Sequence, residues 1–354
     1  MAGDQTQTGM NELLAICIPT FNRAGYLREC LDSFLPQISP LGIPVYVSDN
    51  ASTDDTLTML RRYQAERYPH LFFRSNPNNL GIDRNMAAVV EMARTRFCWL
   101  FGDDDIVRPG AVAAVLDKLQ AGFELVIVNA SGNAVDFSQE VLERRIPFRA
   151  DRVYEPGEQD ALLRDTAAHA SYLGSLVVSR ARWLAHREVA YATDYYHIAV
   201  VYAYAPRCRS VVIAEPYIRC RLRNSSWSQR MFEVLMLNWP QAIWSLGPEY
   251  SAAAKAAVTP PNRARSVRYL MAARAMGLYD RNGYRLLVER GICRRGLRRL
   301  AAALVARAPE ELWRVLFGFY LRIARTPSRE LYLNDMRLRR AQLREERRRR
   351  GQKR

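Results

Sequence analysis

The sequence has no apolar run long enough to span a bilayer, which takes about 18 to 20 consecutive apolar residues. Residues 1–12, MAGDQTQTGMNE, contain no basic segment followed by an apolar stretch, so no signal peptide is expected. The six cysteines (Cys17, Cys30, Cys98, Cys208, Cys220, Cys293) form no CxxC pair, which argues against a zinc site and for a reducing compartment. Cys17 and Cys98 lie inside apolar runs, where a free thiol behaves as a small hydrophobe. Charged residues make up an ordinary 25% of the chain, so disorder is not the default reading.

What is present is enough apolar mass for a large core. The chain has 354 residues, 49% of them hydrophobic, which fits one large domain with an appendage, or two domains. The formal net charge of +16 is uneven: residues 337–354 hold ten Arg or Lys against two Glu, a net +8. Such a run attracts phosphates on lipid, nucleic acid or an acidic partner; a solvated tail is the equal alternative.

Short apolar runs alternate with helical spacing through the first 130 residues. Strands are expected at 13–18, 43–48, 71–74, 97–101 and 125–129, with helices at 25–35, 56–68, 82–94 and 109–120. This alternation predicts an α/β fold with a mostly parallel sheet flanked by helices, and ligands beyond the carboxyl ends of its strands. Beyond 131 the alternation fades, with helices expected at 161–170, 181–190 and 194–205 and a strand at 210–214. From 229 the pattern is helical. Leu312, Val315, Leu316, Phe319, Tyr320 and Ile323 form an amphipathic stripe, expected to pack on the preceding domain or a second subunit, the alternative being a helix lying in a membrane interface with Trp313, Phe317 and the flanking Arg residues.

Asp103, Asp104 and Asp105 follow a buried apolar strand. Three adjacent carboxylates repel one another, and folding them together requires a cation or donors. A carboxylate-only site suits Mg²⁺ or Mn²⁺; an acidic turn capping the next helix is the alternative. Asp49 stands at the end of the second strand, where a carboxylate can accept a base N–H. The cluster holding Asn50 to Asp54 continues from it. Pro19, Thr20, Asn22 and Arg23 follow the first strand in the same way, so both clusters open on one sheet edge. Arg84 stands in the first turn of a helix, unfavourable for the helix dipole, and so invites an anion.

The ordered segments CIPTFNRAGYLRECLDSF, VYVSDNASTDDT, NPNNLGIDRNMAAVV and WLFGDDDIVRPGAV resemble family 2 glycosyltransferases of the GT-A fold. The resemblance is close over 13–130 and looser to about 230. It implies a nucleotide-sugar donor, with Asp49 on the nucleobase, usually uracil. Thr20 and Arg84 line the nucleotide pocket, with Pro19, Asn22, Arg23 and Asn50 beside them. The acidic run corresponds to the DXD motif, with Asp105 and Asp103 toward the metal and Asp103 or Asp104 toward the ribose. Many relatives carry a first acid where Gly102 stands. An inverting transfer needs a general base, and the resemblance places it on an Asp or Glu that begins a helix well after the acidic run. Asp194 fits, with Glu188 and His197 as lesser candidates. The segment 219–228 resembles a loop that closes on the diphosphate, with Arg223 positioned to neutralise it. No QxxRW signature is present, which points to one transfer per encounter.

Residues 171–183 resemble members that add sugars to bacterial O-antigen intermediates, including abequosyltransferases. The acceptor implied is a saccharide, possible forms including a polyprenyl-diphosphate-linked one, and the location the cytoplasm or the inner face of the inner membrane. The basic tail would add attraction to anionic lipid. The C-terminal helices offer a route to homo-oligomers, and no nucleic acid is expected, since no aromatic-basic module is visible. The expected organisation is a tail at 1–12, a catalytic domain at 13–228 divided near 130, a helical region at 229–336 and the basic tail. A nucleotidyltransferase is disfavoured, because no GxGxR loop follows the first strand; a non-catalytic sugar-nucleotide or membrane-surface protein is the remaining alternative.

Overall fold

The computed structural model describes residues 10–188, 193–222, 224, 230–293 and 295–323, with Leu333 and Met336. The chain divides into two units. One comprises residues up to Asn224 together with Ala242–Val258; the other comprises Ser225–Gln241 and the chain from Thr259 onward.

The first unit begins with strand–helix alternation. β1 (Leu14–Thr20), β2 (Val45–Asp49), β3 (Leu71–Ser75) and β4 (Phe97–Leu100) are connected through α1 (Ala24–Ile38), α2 (Thr56–Glu66) and α3 (Ile82–Met92). All residues of β1, β2 and β4 are buried, which is why these strands read as continuous apolar runs. The parallel register places Thr20 opposite Asp49 and Asp49 opposite Ser75, so three strand ends lie flush at one edge.

The sheet order is β3-β2-β1-β4-β9-β6-β10-β5. β5 (Ile106–Val107) and α4 (Ala111–Gln120) follow β4, and β6 (Leu125–Asn133) follows α4. Short strands β7 (Glu140–Leu142) and β8 (Arg152–Tyr154) pair with β6 and β10 off the main path. After α5 (Gln159–Ala170), β9 (Leu176–Ser179) inserts between β4 and β6, antiparallel to both. No strand is expected there from the sequence, because LVVS is a run of four within a helical background. The sheet is therefore mostly parallel.

α6 (Arg180–Ala185) and α7 (Tyr196–Tyr204) are shorter than their sequence patterns suggest. β10 (Ser210–Arg221) is longer: the expected strand stops at Ala214, but a register shift between Ile213 and Ile218 absorbs Pro216 and pairing with β6 resumes. Proline is tolerated at such an irregularity because its missing N–H falls where the ladder is already broken. α10 (Ala252–Val258) closes the unit, with Ser251 N donating to Asp160 Oδ1 at 2.9 Å and Tyr250 OH donating to Tyr202 O at 2.7 Å.

The strand leading to the acidic run is firmly anchored. Phe34 meets Phe101 edge-on at 4.8 Å and Trp99 at 5.5 Å, and Trp99 Nε1 donates to Gly174 O at 2.8 Å. All three aromatic rings are fully buried, each contributing about 2–3 kcal/mol of transfer free energy.

The second unit is helical. α8 (Met231–Glu233) runs through a π-turn (Val234–Asn238) into α9 (Trp239–Trp244), whose last three residues fall in the first unit, and α11 (Val267–Ala275), α12 (Arg281–Glu289), α13 (Leu297–Arg307) and α14 (Glu310–Ile323) follow. Its core gathers Phe232, Leu270, Tyr279, Leu287 and Val305, among others. α14 leaves its apolar stripe exposed within this chain, so the chain itself does not cover it. Val315, Phe319 and Ile323 are 71%, 63% and 70% exposed, while Glu310 and Leu321 are buried and Trp313 packs on the core. Arg314 donates to Glu310 at 2.6 Å along the same inner side. α13 likewise exposes Leu297, Leu300 and Leu304.

Candidate active site

The acidic run occupies the turn between β4 and β5, at the carboxyl edge of the sheet. Asp103 and Asp105 are buried, and Asp104 between them is half-buried. Thr20 Oγ1 donates to Asp103 Oδ2 at 2.7 Å. Arg23 donates to Asp104 Oδ2 at 2.8 Å and lies 3.8 Å from Asp103, and Asn224 Nδ2 donates to the same Asp104 oxygen at 2.8 Å. Arg221 N donates to Asp105 Oδ1 at 2.6 Å; its guanidinium bonds the Asp104 carbonyl and the Glu29 carboxylate. Loops after β1 and β4 and the end of β10 thus converge on three carboxylates.

The electrostatics follow from burial. Burial, with Asp104 adding, pushes the Asp103 carboxyl up to about 7, against Arg23 and the Thr20 hydrogen bond. Burial and Asp104 also push Asp105 well above the usual carboxylate range. Both are costly to ionise, and a cation would relieve that cost. Gly102 matters here: a Cβ on it would stand 3.3 Å from Asp104 Oδ1 and 3.4 Å from Asp105 Oδ2. The missing side chain leaves room for the acids that follow.

Among the described residues, no three His, Cys, Asp or Glu side chains converge to hold a metal. The chemistry of Asp103 and Asp105 nevertheless fits Mg²⁺ or Mn²⁺, hard cations commonly held by one or two carboxylates plus substrate phosphates.

Asp49 is fully buried, accepting from Ser75 Oγ at 2.6 Å and Ser52 N at 3.2 Å. Pro19 lies within β1, opposite Ser48. Asn22 and Asn50 use their side chains to brace loops. Asn22, in the left-handed region (φ 53°), accepts from Thr53 N at 2.7 Å. Asn50 accepts from Leu80 N at 2.9 Å and donates to Asn79 Oδ1 at 2.8 Å. Arg84 is exposed in the first turn of α3. Arg223 lies outside the described residues, as does the basic tail.

Asp194 precedes α7 with a left-handed backbone (φ 60°), and its amide donates to Asp83 Oδ2 at 3.2 Å. His197 is buried within α7, its Nε2 3.2 Å from Ala170 O; burial takes its pKa down to about 4. Glu188 is exposed and pairs with Arg187 at 3.3 Å.

Several contributors escape the sequence reading. Asn85 donates to Ser48 O at 3.0 Å and Thr20 O at 3.3 Å, and accepts from Ser48 Oγ at 2.7 Å and Asn76 Nδ2 at 2.9 Å. It therefore ties α3 to the ends of β1 and β2. Its place beside Arg84 in the same turn was the available signal. Arg221 was passed over because its segment read as a loop, whereas it ends β10.

The α/β sheet with an acidic turn at its carboxyl edge has the GT-A glycosyltransferase architecture, as its likeness to solved members shows. The sequence model for "Glycosyl transferase family 2" matches residues 15–190. The chain is 31% identical over 234 residues to the abequosyltransferase RfbV of Salmonella typhimurium, covering 62% of this chain and 69% of that protein. It is 26% identical over 136 residues to the GalNAc(5)-diNAcBac-PP-undecaprenol beta-1,3-glucosyltransferase of Campylobacter jejuni, covering 37% and 44% of the two chains. Residues 1–349 of S. aureus TarS, solved in complex with UDP-GlcNAc, share the fold, with a TM-score of 0.55 at 16% identity over 86% of this chain and 92% of that one. The chain belongs to glycosyltransferase family 2, and it is a glycosyltransferase. That membership sets aside the nucleotidyltransferase alternative.

Proposed function

We propose that this enzyme moves a sugar from a nucleotide donor, UDP-linked, to a saccharide acceptor carried on a lipid diphosphate, with inversion and with a divalent cation. The observation that carries this reading is the cluster of Asp103, Asp104 and Asp105, bonded to Thr20 and Arg23 and lying on the same strand-end edge as Asp49. The relatives named above, an abequosyltransferase and an undecaprenol-linked glucosyltransferase, support the acceptor class.

Asp103 and Asp105 would hold Mg²⁺ or Mn²⁺, which when bound would neutralise the donor diphosphate. Asp49 would receive a base N–H, with Thr20, Arg84 and Arg223 around the nucleotide. The acceptor hydroxyl attacks the anomeric carbon, its proton passes to Asp194, and the bond to the diphosphate oxygen breaks as the new glycosidic bond forms. Arg23 and Arg221 supply fixed positive charge beside the departing nucleotide.

The outward apolar faces of α13 and α14, followed by the basic run at 337–354, support a peripheral position on an anionic membrane surface, where a lipid-linked acceptor resides. Catalytic residues 13–228, a helical region and a basic tail are the proposed division of labour.

The experiment is a panel of nucleotide sugars screened by thermal shift with and without Mn²⁺, followed by transfer assays. A UDP-linked donor should stabilise the protein only with metal. Full transfer by Asp105→Ala, or transfer indifferent to EDTA, would overturn the metal-site reading.

A further inference from the structure

The first turn of α3 carries three consecutive residues with three separate tasks. Asn85 holds the ends of β1 and β2, through Thr20 O and Ser48 O. Arg84 is exposed at the edge assigned to the donor. Asp83 points elsewhere. Its carboxylate is buried and accepts three main-chain N–H bonds from a segment more than a hundred residues away: Thr193 at 3.1 Å, Asp194 at 3.2 Å and Tyr196 at 3.4 Å.

These donors are the approach to α7 and its first residue. α7 has no side-chain cap of its own at Tyr195. Asp83 therefore caps it from another helix, meeting the exposed N–H groups and the positive end of the dipole. Asp194, held between two of these bonds, has φ 60°, a left-handed conformation uncommon for a residue with a side chain, though Asp tolerates it better than most. Thr193 Oγ1 accepts from Tyr195 N at 3.2 Å and closes the turn around it.

We infer that Asp83 is a positioning residue, whose clamp on the 193–196 backbone sets Asp194 relative to the donor edge held by Asn85 in the same helical turn. The inference rests on the assignment of Asp194 as base. The clamp itself does not.

The test uses the full-length protein and Asp83→Asn, which keeps the shape but replaces one accepting oxygen with an N–H donor. Hydrogen exchange read on peptides covering 193–200 should quicken markedly in the variant, while peptides from β1 and β2 keep their protection. The affinity for UDP with Mn²⁺ should stay within about twofold, while kcat for transfer falls on the order of 100-fold, the scale of a misplaced catalytic group. Asp194→Asn and the double variant complete a cycle. If Asp83 acts through Asp194, the double variant is no slower than Asp194→Asn alone.

Unchanged exchange at 193–200, additive losses in the double variant, or a loss of UDP affinity matching the loss of kcat would each overturn the positioning role. Wild-type kcat in Asp194→Asn would instead overturn the base assignment, and the exchange result would still decide whether the clamp exists.

Discussion

Thr20 and Asp103, 83 residues apart in sequence, meet in a 2.7 Å hydrogen bond between a hydroxyl and a buried carboxylate. The contact joins the end of β1 to the acidic turn after β4. Thr20→Val keeps the volume and removes the donor. The buried carboxylate then loses a partner, and affinity for UDP with Mn²⁺ is expected to fall about three- to tenfold, the net worth of about 0.7–1.4 kcal/mol of one ordinary hydrogen bond. Calorimetric titration of both proteins measures this, and equal affinities would contradict it.

Asn85 makes four hydrogen bonds and is 2% exposed. Asn85→Ala removes all four, taking the acceptor from Ser48 Oγ, while Thr20 O keeps Asn50 N at 2.9 Å and Asn76 Nδ2 keeps Asn50 Oδ1 at 3.2 Å. A loss of about 2–4 kcal/mol in urea unfolding is expected. A loss below about 1 kcal/mol would mean the network repairs itself.

His169 is buried, with Arg145 Nε donating to Nδ1 at 3.3 Å and Nε2 facing Val128 O at 2.9 Å. Burial chiefly, and Arg145, take its pKa down to about 3. A histidine in the unfolded chain titrates near ~6.5, so the neutral ring favours the folded state. The stabilisation is complete above the unfolded pKa and is lost as pH falls through the interval down to the folded one, at about 1.4 kcal/mol per pH unit. His169→Gln can make both hydrogen bonds without titrating. Its unfolding free energy should fall less steeply between pH 6 and 4.5 than that of the parent.

Val315→Glu with Phe319→Glu places charge on the exposed face of α14. Sedimentation with vesicles containing anionic lipid should drop at least about tenfold, with UDP binding unchanged. If the face instead joins two copies, the parent will be a dimer by light scattering and the variant a monomer, with vesicle binding absent in both.

The first 130 residues were legible because their strands are buried on both faces and polar clusters follow each strand directly. Asp49, Thr20 and Asp103–Asp105 could be placed on one edge from that pattern alone. β9 was not legible: its position between β4 and β6 comes from pairing across long sequence separations, and a four-residue run carries no sign of its neighbours. The second half of β10 was hidden by Pro216. Asp83 looked like an ordinary acid in a helix's first turn, since its partners lie at 193–196. On α14 periodicity marks the stripe, but an amphipathic face does not announce which environment covers it.

The loops after β1 and β2 are pinned to each other by protein atoms alone, through Asn22 to Thr53 and Asp54 and through Ser52 back to Asn22. Little chain entropy is left to surrender there, so the nucleotide proposed to bind at this edge should meet it as a key meets a finished lock.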